Sequence, residues 1–363
     1  MDIQYMKRAL SLAEKGEGFV NPNPMVGCVI VKKGKIIGEG YHRFFGGNHA
    51  EIEALKVVSD DPKDSTMYVT LEPCSHYGKT PPCVNAIIEN GIKRVVVATL
   101  DPNPLVAGNG VKKLRENGIE VITGVLMDEA QRLNEVFIKY ITTKLPFCLM
   151  KSAMSLDGKI ATKFADSKWI TSIPSREYVH RLRHRYAGIM VGIGTVLVDN
   201  PLLTTRIPDF EGKNPIRIIV DSRCRIPLDA NVVKTTSKAR TLLATTNQAD
   251  SQKIKVLKEK DVEVLVLPLK NDRVDLNALM EKLGEMGIDS ILLEGGGTLN
   301  YSALDTGIVD KVSFFIAPKI IGGNLSKTPV EGAGVPLVKS AFSLNDMRTH
   351  RFGQDIMIEG YIR

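Results

Sequence analysis

The chain has 363 residues, 43% hydrophobic and 25% charged, with 48 basic and 41 acidic side chains giving a net charge of +7. That length exceeds what one ordinary hydrophobic core supports, so two domains are expected. There is no apolar run of about eighteen residues, no signal peptide, no block of roughly five like charges and little aromatic interleaving, so neither a membrane span nor a nucleic-acid surface is indicated. The basic surplus fits a solvated surface, with phosphorylated small substrates as the functional alternative. Five cysteines (Cys28, Cys74, Cys83, Cys148 and Cys224) are too few and too scattered for a disulfide framework. A reduced, cytoplasmic protein follows, in which paired cysteines read as metal ligands.

In chain order, Ile3, Met6, Leu10 and Ala13 recur at helical spacing until Gly16. Residues 25–31 and 35–40 read as strands joined at Lys33-Gly34. A helix near 49–58, a strand at 66–71, a helix at 82–90 and a buried strand at 94–100 come next. A helix at 110–117, a strand at 119–123 and a helix through about Lys139 complete the first half. Alternating strands and helices specify an α/β fold with a mostly parallel sheet covered on both faces. The pattern breaks at 142–146, which places the domains at 1–144 and 145–363. In the second half, 147–152, 189–192, 216–221, 240–245, 262–267 and 290–294 read as strands. Residues 311–318 and 356–362 are late strands with no long helix between them, suggesting a partly antiparallel edge.

The chemistry is clearest in the first half. His49-Ala50-Glu51 opens a helix, and Pro73-Cys74 and Pro82-Cys83 each lie at a strand-to-helix junction. One imidazole and two thiolates leave a fourth tetrahedral position open, the mark of a catalytic rather than a structural zinc site. Zinc lowers the pKa of bound water to about 7. Glu51, two residues from a ligand but not one itself, is placed to take a proton from water and return it to departing ammonia. This is the zinc-deaminase arrangement. Cys83 falls in a first helical turn, where the dipole favours thiolate. Cys28, Cys148 and Cys224 read as packing.

The sequence departs from the usual Pro-Cys-x-x-Cys pattern by placing eight residues between the cysteines. That loop, Glu72-Pro73-Cys74-Ser75-His76-Tyr77-Gly78-Lys79-Thr80-Pro81-Pro82-Cys83, resembles the bifunctional riboflavin-biosynthesis deaminase/reductase family. The same family is matched by Asn21-Pro22-Asn23-Pro24-Met25-Val26-Gly27, Asp101-Pro102-Asn103-Pro104 and Ser155-Leu156-Asp157-Gly158-Lys159-Ile160-Ala161. Trp169-Ile170-Thr171, Gly194-Thr195-Val196-Leu197-Val198-Asp199-Asn200-Pro201 and Leu293-Glu294-Gly295-Gly296-Gly297-Thr298 complete the match, which spans essentially the whole chain.

The resemblance implies a cytidine-deaminase-like three-layer α/β/α domain followed by a dihydrofolate-reductase-like α/β domain. It implies zinc-dependent deamination of 2,5-diamino-6-ribosylamino-4(3H)-pyrimidinone 5′-phosphate, then reduction of 5-amino-6-(5-phosphoribosylamino)uracil to its ribityl form by NADPH. Asn23, His42, His76, Lys79, Asp101 and Asn103 would line the deaminase pocket. On residue type alone, Asn23 and Asp101-Pro102-Asn103 read as turn chemistry. The resemblance assigns Ala153, Trp169, Thr195, Asp199, Ser222, Gly296, Gly297, Thr298 and Leu299 to the nicotinamide nucleotide. It assigns Ser167, Arg183, Leu203, Arg206 and Glu294 to the reductase substrate, and it implies a homo-oligomer.

From the residues themselves, Gly295-Gly296-Gly297 at a strand-to-helix turn suits backbone approach to a phosphate, or is simply a tight turn. No Gly-x-Gly-x-x-Gly supports a Rossmann domain. Arg183 and Arg206 suit a ribose phosphate as forks, or form surface ion pairs. Trp169 alone reads as a core or interface anchor. Lys151 follows the domain's first strand and is a candidate proton donor to the reacting sugar. Two rival functions remain at this stage. A zinc deaminase of a tRNA base or nucleoside with an accessory nucleotide-binding domain leaves the second half without a reaction. A non-enzymatic module with structural zinc does not explain Glu51.

Overall fold

The computed structural model describes residues 1–77, 81–103 and 107–363. The chain divides into two compact units, Met1–Lys144 and Leu145–Arg363.

The first unit runs α1 (Asp2–Ala13), β1 (Gly27–Lys32), β2 (Lys35–Tyr41), α2 (Ala50–Lys56), β3 (Thr66–Leu71) and α3 (Cys83–Glu89). It continues through β4 (Arg94–Thr99), α4 (Asn109–Glu116), β5 (Glu120–Thr123), α5 (Met127–Leu133) and α6 (Glu135–Thr143). The five strands lie in the order β2-β1-β3-β4-β5. Only β3, β4 and β5 are parallel; β1 pairs antiparallel with both β2 and β3, so the sheet is mixed rather than mostly parallel. The hairpin residues are apolar enough to read as buried strands, but a two-residue turn at Lys33-Gly34 admits only antiparallel pairing. Both faces are covered. Met6, Ala9 and Leu12 of α1 pack on Val29, Val31 and Val96, while Ala50, Ala54, Val84 and Ile87 pack on Cys28, Ile30 and Val97. Gly40 lets α2 lie directly on β2, since a Cβ there would sit 2.3 Å from the Ala54 nitrogen. The helix expected through Lys139 is two helices, α5 and α6, meeting at the buried Asn134.

The second unit runs β6 (Phe147–Ser155), α7 (Ile173–Arg185), β7 (Gly188–Gly192), α8 (Ile193–Asp199), β8 (Ile216–Val220) and α9 (Asn231–Lys234). Then come β9 (Thr241–Thr245), α10 (Ser251–Glu259), β10 (Val262–Val266), and the short β11 (Leu269–Lys270) and β12 (Arg273–Val274). The unit ends with α11 (Leu276–Glu285), β13 (Ser290–Leu293), α12 (Gly297–Asp305), β14 (Lys311–Ala317), β15 (Leu344–Phe352) and β16 (Asp355–Ile362). Nine strands form one sheet in the order β10-β9-β8-β7-β13-β6-β14-β16-β15. Within this sheet β10, β9, β8, β7, β13, β6 and β14 run parallel, and β16 and β15 add an antiparallel edge. The edge strand β15 has no counterpart in the sequence reading. It is exposed over most of its length, so its sequence shows no alternation. By contrast, the central strands β6, β7 and β13 are nearly continuous apolar runs with cores on both faces. Because β7, β13 and β6 are adjacent and parallel, the residues at their carboxyl ends converge.

Candidate active sites

In the first unit, His49 is the N-cap of α2, Cys74 follows the end of β3, and Cys83 is the first residue of α3. The Cys74 and Cys83 sulfurs lie 3.5 and 3.3 Å from His49 Nδ1, and all three ligand atoms fall within 4.8 Å of one another. Tetrahedral zinc, with bonds of about 2.3 Å to sulfur and about 2.0 Å to nitrogen, requires sulfur–nitrogen edges of about 3.6 Å. The donor set therefore fits zinc in both type and spacing. The Cys83 backbone N–H donates to the Cys74 sulfur at 3.3 Å, so the start of α3 stabilises a thiolate. Cys74 is drawn down to about 4, first by its hydrogen bond with Cys83 and also by His49, against the opposing effect of burial. The same bond and burial hold the Cys83 thiol high. Glu51 is 3% exposed in the first turn of α2. Burial, only partly offset by His49, lifts its carboxyl to about 6, which suits a group that both takes and returns protons.

The residues expected around the metal come together in two clusters. Asn23 Nδ2 lies 3.1 Å from His42 Nε2, while His42 Nδ1 lies 2.9 Å from the Asn48 carbonyl. The carbonyl can only accept, so His42 carries its proton on Nδ1 and accepts from Asn23 on Nε2. Burial pushes His42 down, keeping it neutral. In the second cluster, burial raises Asp101, which also senses His76 and Cys74; its Oδ1 accepts the Asn103 amide at 2.9 Å. His76 itself is exposed, and Lys79 lies outside the described residues. Two positioning groups escaped the sequence reading. The Asn134 side chain accepts from the Met25 amide at 2.8 Å and donates to its carbonyl at 2.9 Å, pinning the segment that carries Asn23. Glu72 accepts the backbone amides of Asp101, Gly108 and Val111. The signal for Glu72 was an acid placed directly after an apolar strand.

In the second unit, Leu293 pairs with Met150, which puts Glu294 beside Lys151 at the next position. Lys151 lies within β6 rather than after it. Its Nζ is 3.7 Å from Glu294 Oε2, and Arg183, in the last turn of α7, grips Glu294 at 2.7 and 3.0 Å. Burial alone would raise Glu294, but Arg183 and then Lys151 override it and hold the carboxyl at about 2. Burial lowers Lys151, opposed by Glu294. The Arg183 fork expected on a phosphate is thus closed on Glu294, because a buried carboxylate requires a charged, bidentate partner. Arg206 remains exposed, with its Nη1 2.8 Å from the Thr204 hydroxyl and its backbone N–H donating to His180 Nδ1 at 3.2 Å. Leu203 is buried at φ 52°, a left-handed conformation that leucine rarely adopts.

The expected cofactor residues lie along the same sheet, with Gly296, Gly297, Thr298 and Leu299 at the start of α12 and Thr195 and Asp199 on α8. No side chain caps α12, a Cβ at Gly296 would meet nothing within 4 Å, and Asn300 Oδ1 is buried without a partner. Uncapped amides beside open space suit a nucleotide phosphate. Burial raises Asp199, while Lys168 opposes the shift. Trp169 is 62% exposed with Arg176 4.3 Å from its ring, so it is not a core anchor. Ala153 and Ser167 are half-buried. The Ser222 hydroxyl accepts the Val274 amide at 3.0 Å. Cys28, Cys148 and Cys224 are buried away from any metal-binding group among the described residues.

Residues 146–358 match the RibD C-terminal domain, and residues 1–99 match the cytidine and deoxycytidylate deaminase zinc-binding region. The riboflavin biosynthesis protein RibD of Actinobacillus pleuropneumoniae is 51% identical over 358 residues, covering 99% of this chain and 94% of that protein. A solved structure of Acinetobacter baumannii RibD aligns with TM-score 0.89 at 34% identity over 100% of this chain and 99% of that one. A Thermotoga maritima structure aligns with TM-score 0.85 at 40% identity over the same shares. It is described as a diaminohydroxyphosphoribosylaminopyrimidine deaminase/5-amino-6-(5-phosphoribosylamino)uracil reductase. The amino-terminal unit has the cytidine-deaminase-like fold, and the carboxy-terminal unit has the dihydrofolate-reductase-like fold of the reductases.

Proposed function

The chain belongs to the RibD family of bifunctional riboflavin-biosynthesis deaminase/reductases, and from that premise we propose how its residues divide the two reactions. The enzyme deaminates 2,5-diamino-6-ribosylamino-4(3H)-pyrimidinone 5′-phosphate and reduces 5-amino-6-(5-phosphoribosylamino)uracil to its ribityl form, using zinc and NADPH. Residues 1–144 carry the deaminase and 145–363 the reductase. The observation carrying the first assignment is Glu51, a buried carboxyl beside His49, Cys74 and Cys83.

His49 Nδ1 and the two sulfurs would hold zinc, which when bound would make water a usable nucleophile at neutral pH. Glu51 takes the proton from water and returns it to the leaving amine, so that ammonia departs and oxygen takes its place. Asn23, His42, Asp101 and Asn103 orient the pyrimidine, and His76 and Lys79, from the long segment between the two cysteines, complete the substrate-binding set. His42 stays neutral and its Nε2 fixes the Asn23 amide.

In the reductase, the start of α12, together with Ala153, Trp169, Thr195, Asp199 and Ser222, would hold NADPH, which when bound would supply the hydride. Lys151 donates a proton from Nζ to the reacting sugar, and Glu294 and Arg183 fix its position. Ser167 and Leu203 border the substrate. Arg206 takes the phosphate, since Arg183 is occupied by Glu294. No helix among the described residues is long and apolar enough to cross a membrane. A cytoplasmic homo-oligomer completes the reading, supported by the metal-site thiols that must stay reduced and by the exposed edge strand β15.

The test is mass spectrometry of the product made from the diaminopyrimidine phosphate with and without NADPH. The expected result is the deaminated ribosyl compound alone without NADPH and the ribityl compound with it. Reduction that precedes deamination would overturn the order.

A further inference from the structure

Glu72 leaves the end of β3 with its backbone in the ladder, where its N–H donates to the Thr99 carbonyl at 3.0 Å. Its side chain is 4% exposed and reaches the loop beyond β4. Oε2 accepts from the Asp101 amide at 3.1 Å and the Gly108 amide at 2.9 Å, while Oε1 accepts from the Val111 amide at 3.1 Å. Gly108 is the N-cap of α4, and no side chain of its own segment caps that helix. Two of the amides at the start of α4, those of Gly108 and Val111, are therefore served by a carboxylate from outside the helix, whose charge also suits a helix N-terminus. The fit is close. A Cβ on Gly110 would lie 2.1 Å from the Pro73 carbonyl and 3.1 Å from Glu72 Oε1, so only glycine brings α4 this near.

Three N–H donors on one buried carboxylate have a consequence for the site. The strand carrying Glu72 reaches Cys74 two residues later, and the amide it grips belongs to Asp101. We propose that Glu72 is a positioning residue for deamination: by holding the Asp101 amide and the start of α4, it sets the pyrimidine-binding face at a fixed distance from the metal ligands. This deepens the assignment of Asp101 and Asn103 to the pocket and rests on it. Glutamine cannot replace Glu72, because its Nε2 would turn a donor toward a backbone donor and leave both unsatisfied.

The test compares Glu72→Gln, Asp101→Asn and the double variant in the zinc-loaded full chain. Readouts are deaminase KM and kcat on the diaminopyrimidine phosphate, zinc per chain, and reductase rate on the deaminated compound. Glu72→Gln raises KM by about 10- to 100-fold and lowers kcat by less, with stoichiometric zinc and an unchanged reductase rate. The double variant is no worse in KM than Asp101→Asn alone, because both act through one contact. Multiplying effects, or a wild-type KM in Glu72→Gln while Asp101→Asn impairs binding, overturns the role of Glu72. A wild-type KM in Asp101→Asn overturns it as well, but places the fault in the pocket assignment. If Glu72→Gln does not fold, Glu72→Asp carries the test, since it keeps the charge and withdraws the acceptor. A raised KM with full zinc supports the proposal, and a wild-type KM shows a role in stability alone.

Discussion

The deaminase and reductase centres handle buried charge in different ways. In the first, His49 and Cys83 sit where two helices begin, Cys74 follows β3, and the Cys83 amide already favours negative charge on Cys74. In the second, no external ion is needed, because Glu294 is neutralised by Arg183 and Lys151 from two other elements. A site built to hold a cation leaves its ligands without an internal counter-charge, whereas a site built to orient a sugar phosphate and a nucleotide closes its charges on one another. The variants below probe that contrast.

The largest expected effect is on the metal. Cys83→Ser should take zinc from near one per chain to near none and abolish deamination, while reduction of pre-deaminated substrate continues. Elemental analysis with separate assays for the two steps checks this. Full zinc occupancy in the variant would show that the ligand set is wrong.

Glu51→Gln should leave zinc in place and cut deamination by about 10²–10⁴-fold, the usual cost of losing a general acid–base. The amide keeps the shape of the carboxyl but can neither take up nor release a proton near neutral pH. Normal ammonia release would assign the proton transfer to another group.

These two sites differ as much in legibility as in chemistry. The grouping of His49, Cys74 and Cys83 was readable because His-x-Glu followed by two Pro-Cys dipeptides makes a compound pattern, and Glu51 is fixed two residues from His49. The strands flanking them were equally plain, since apolar runs such as Thr66–Leu71 are bounded by turn residues. Glu72 and Asn134 were not readable as positioning groups, because their partners are backbone amides up to 109 residues away and a backbone amide leaves no trace in residue type. The Arg183–Glu294 pair spans 111 residues, so its closure emerges only when the last turn of α7 meets the residue that follows β13. The antiparallel pairing of β1 with β3 and the exposed strand β15 were missed because apolar runs specify burial, not direction, and an edge exposed along its length shows no period.

Glu294→Gln tests the closed charge cluster. Removing the carboxylate leaves Arg183 and Lys151 facing each other in a buried setting, and breaking such a pair costs about 3–5 kcal/mol. The pH dependence gives the signature. Glu294 falls from an ordinary 4.5 to about 2 on folding, so its stabilisation is fully present above pH 4.5 and is lost as pH falls towards 2. The stability gap between wild type and Glu294→Gln should be constant near neutrality and shrink between pH 4.5 and 2, measured by denaturant unfolding of both proteins. A gap that persists undiminished to pH 2 would show that Glu294 is not the anion held there.

The smallest expected effect separates the two arginines. Arg183 is 13% exposed and holds Glu294 through two hydrogen bonds, so its loss would disturb Lys151 as well as any phosphate. Arg206 has only a Thr204 contact from its guanidinium, and its position is kept by the backbone bond to His180, which alanine retains. Arg206→Ala should therefore remove a phosphate contact without loosening the cluster. A charge-assisted hydrogen bond is worth roughly 1.5–3 kcal/mol, so kcat/KM for reduction should fall about ten- to a hundredfold, mostly through KM. A substrate analogue without the phosphate should react equally slowly with both proteins, because the contact being removed is absent from it. Deamination should be unaffected. If Arg206→Ala instead lowered kcat and left KM alone, the residue would act on the transferred hydride or proton rather than on the phosphate, and the division between a closed charge cluster and an open phosphate arm would have to be redrawn.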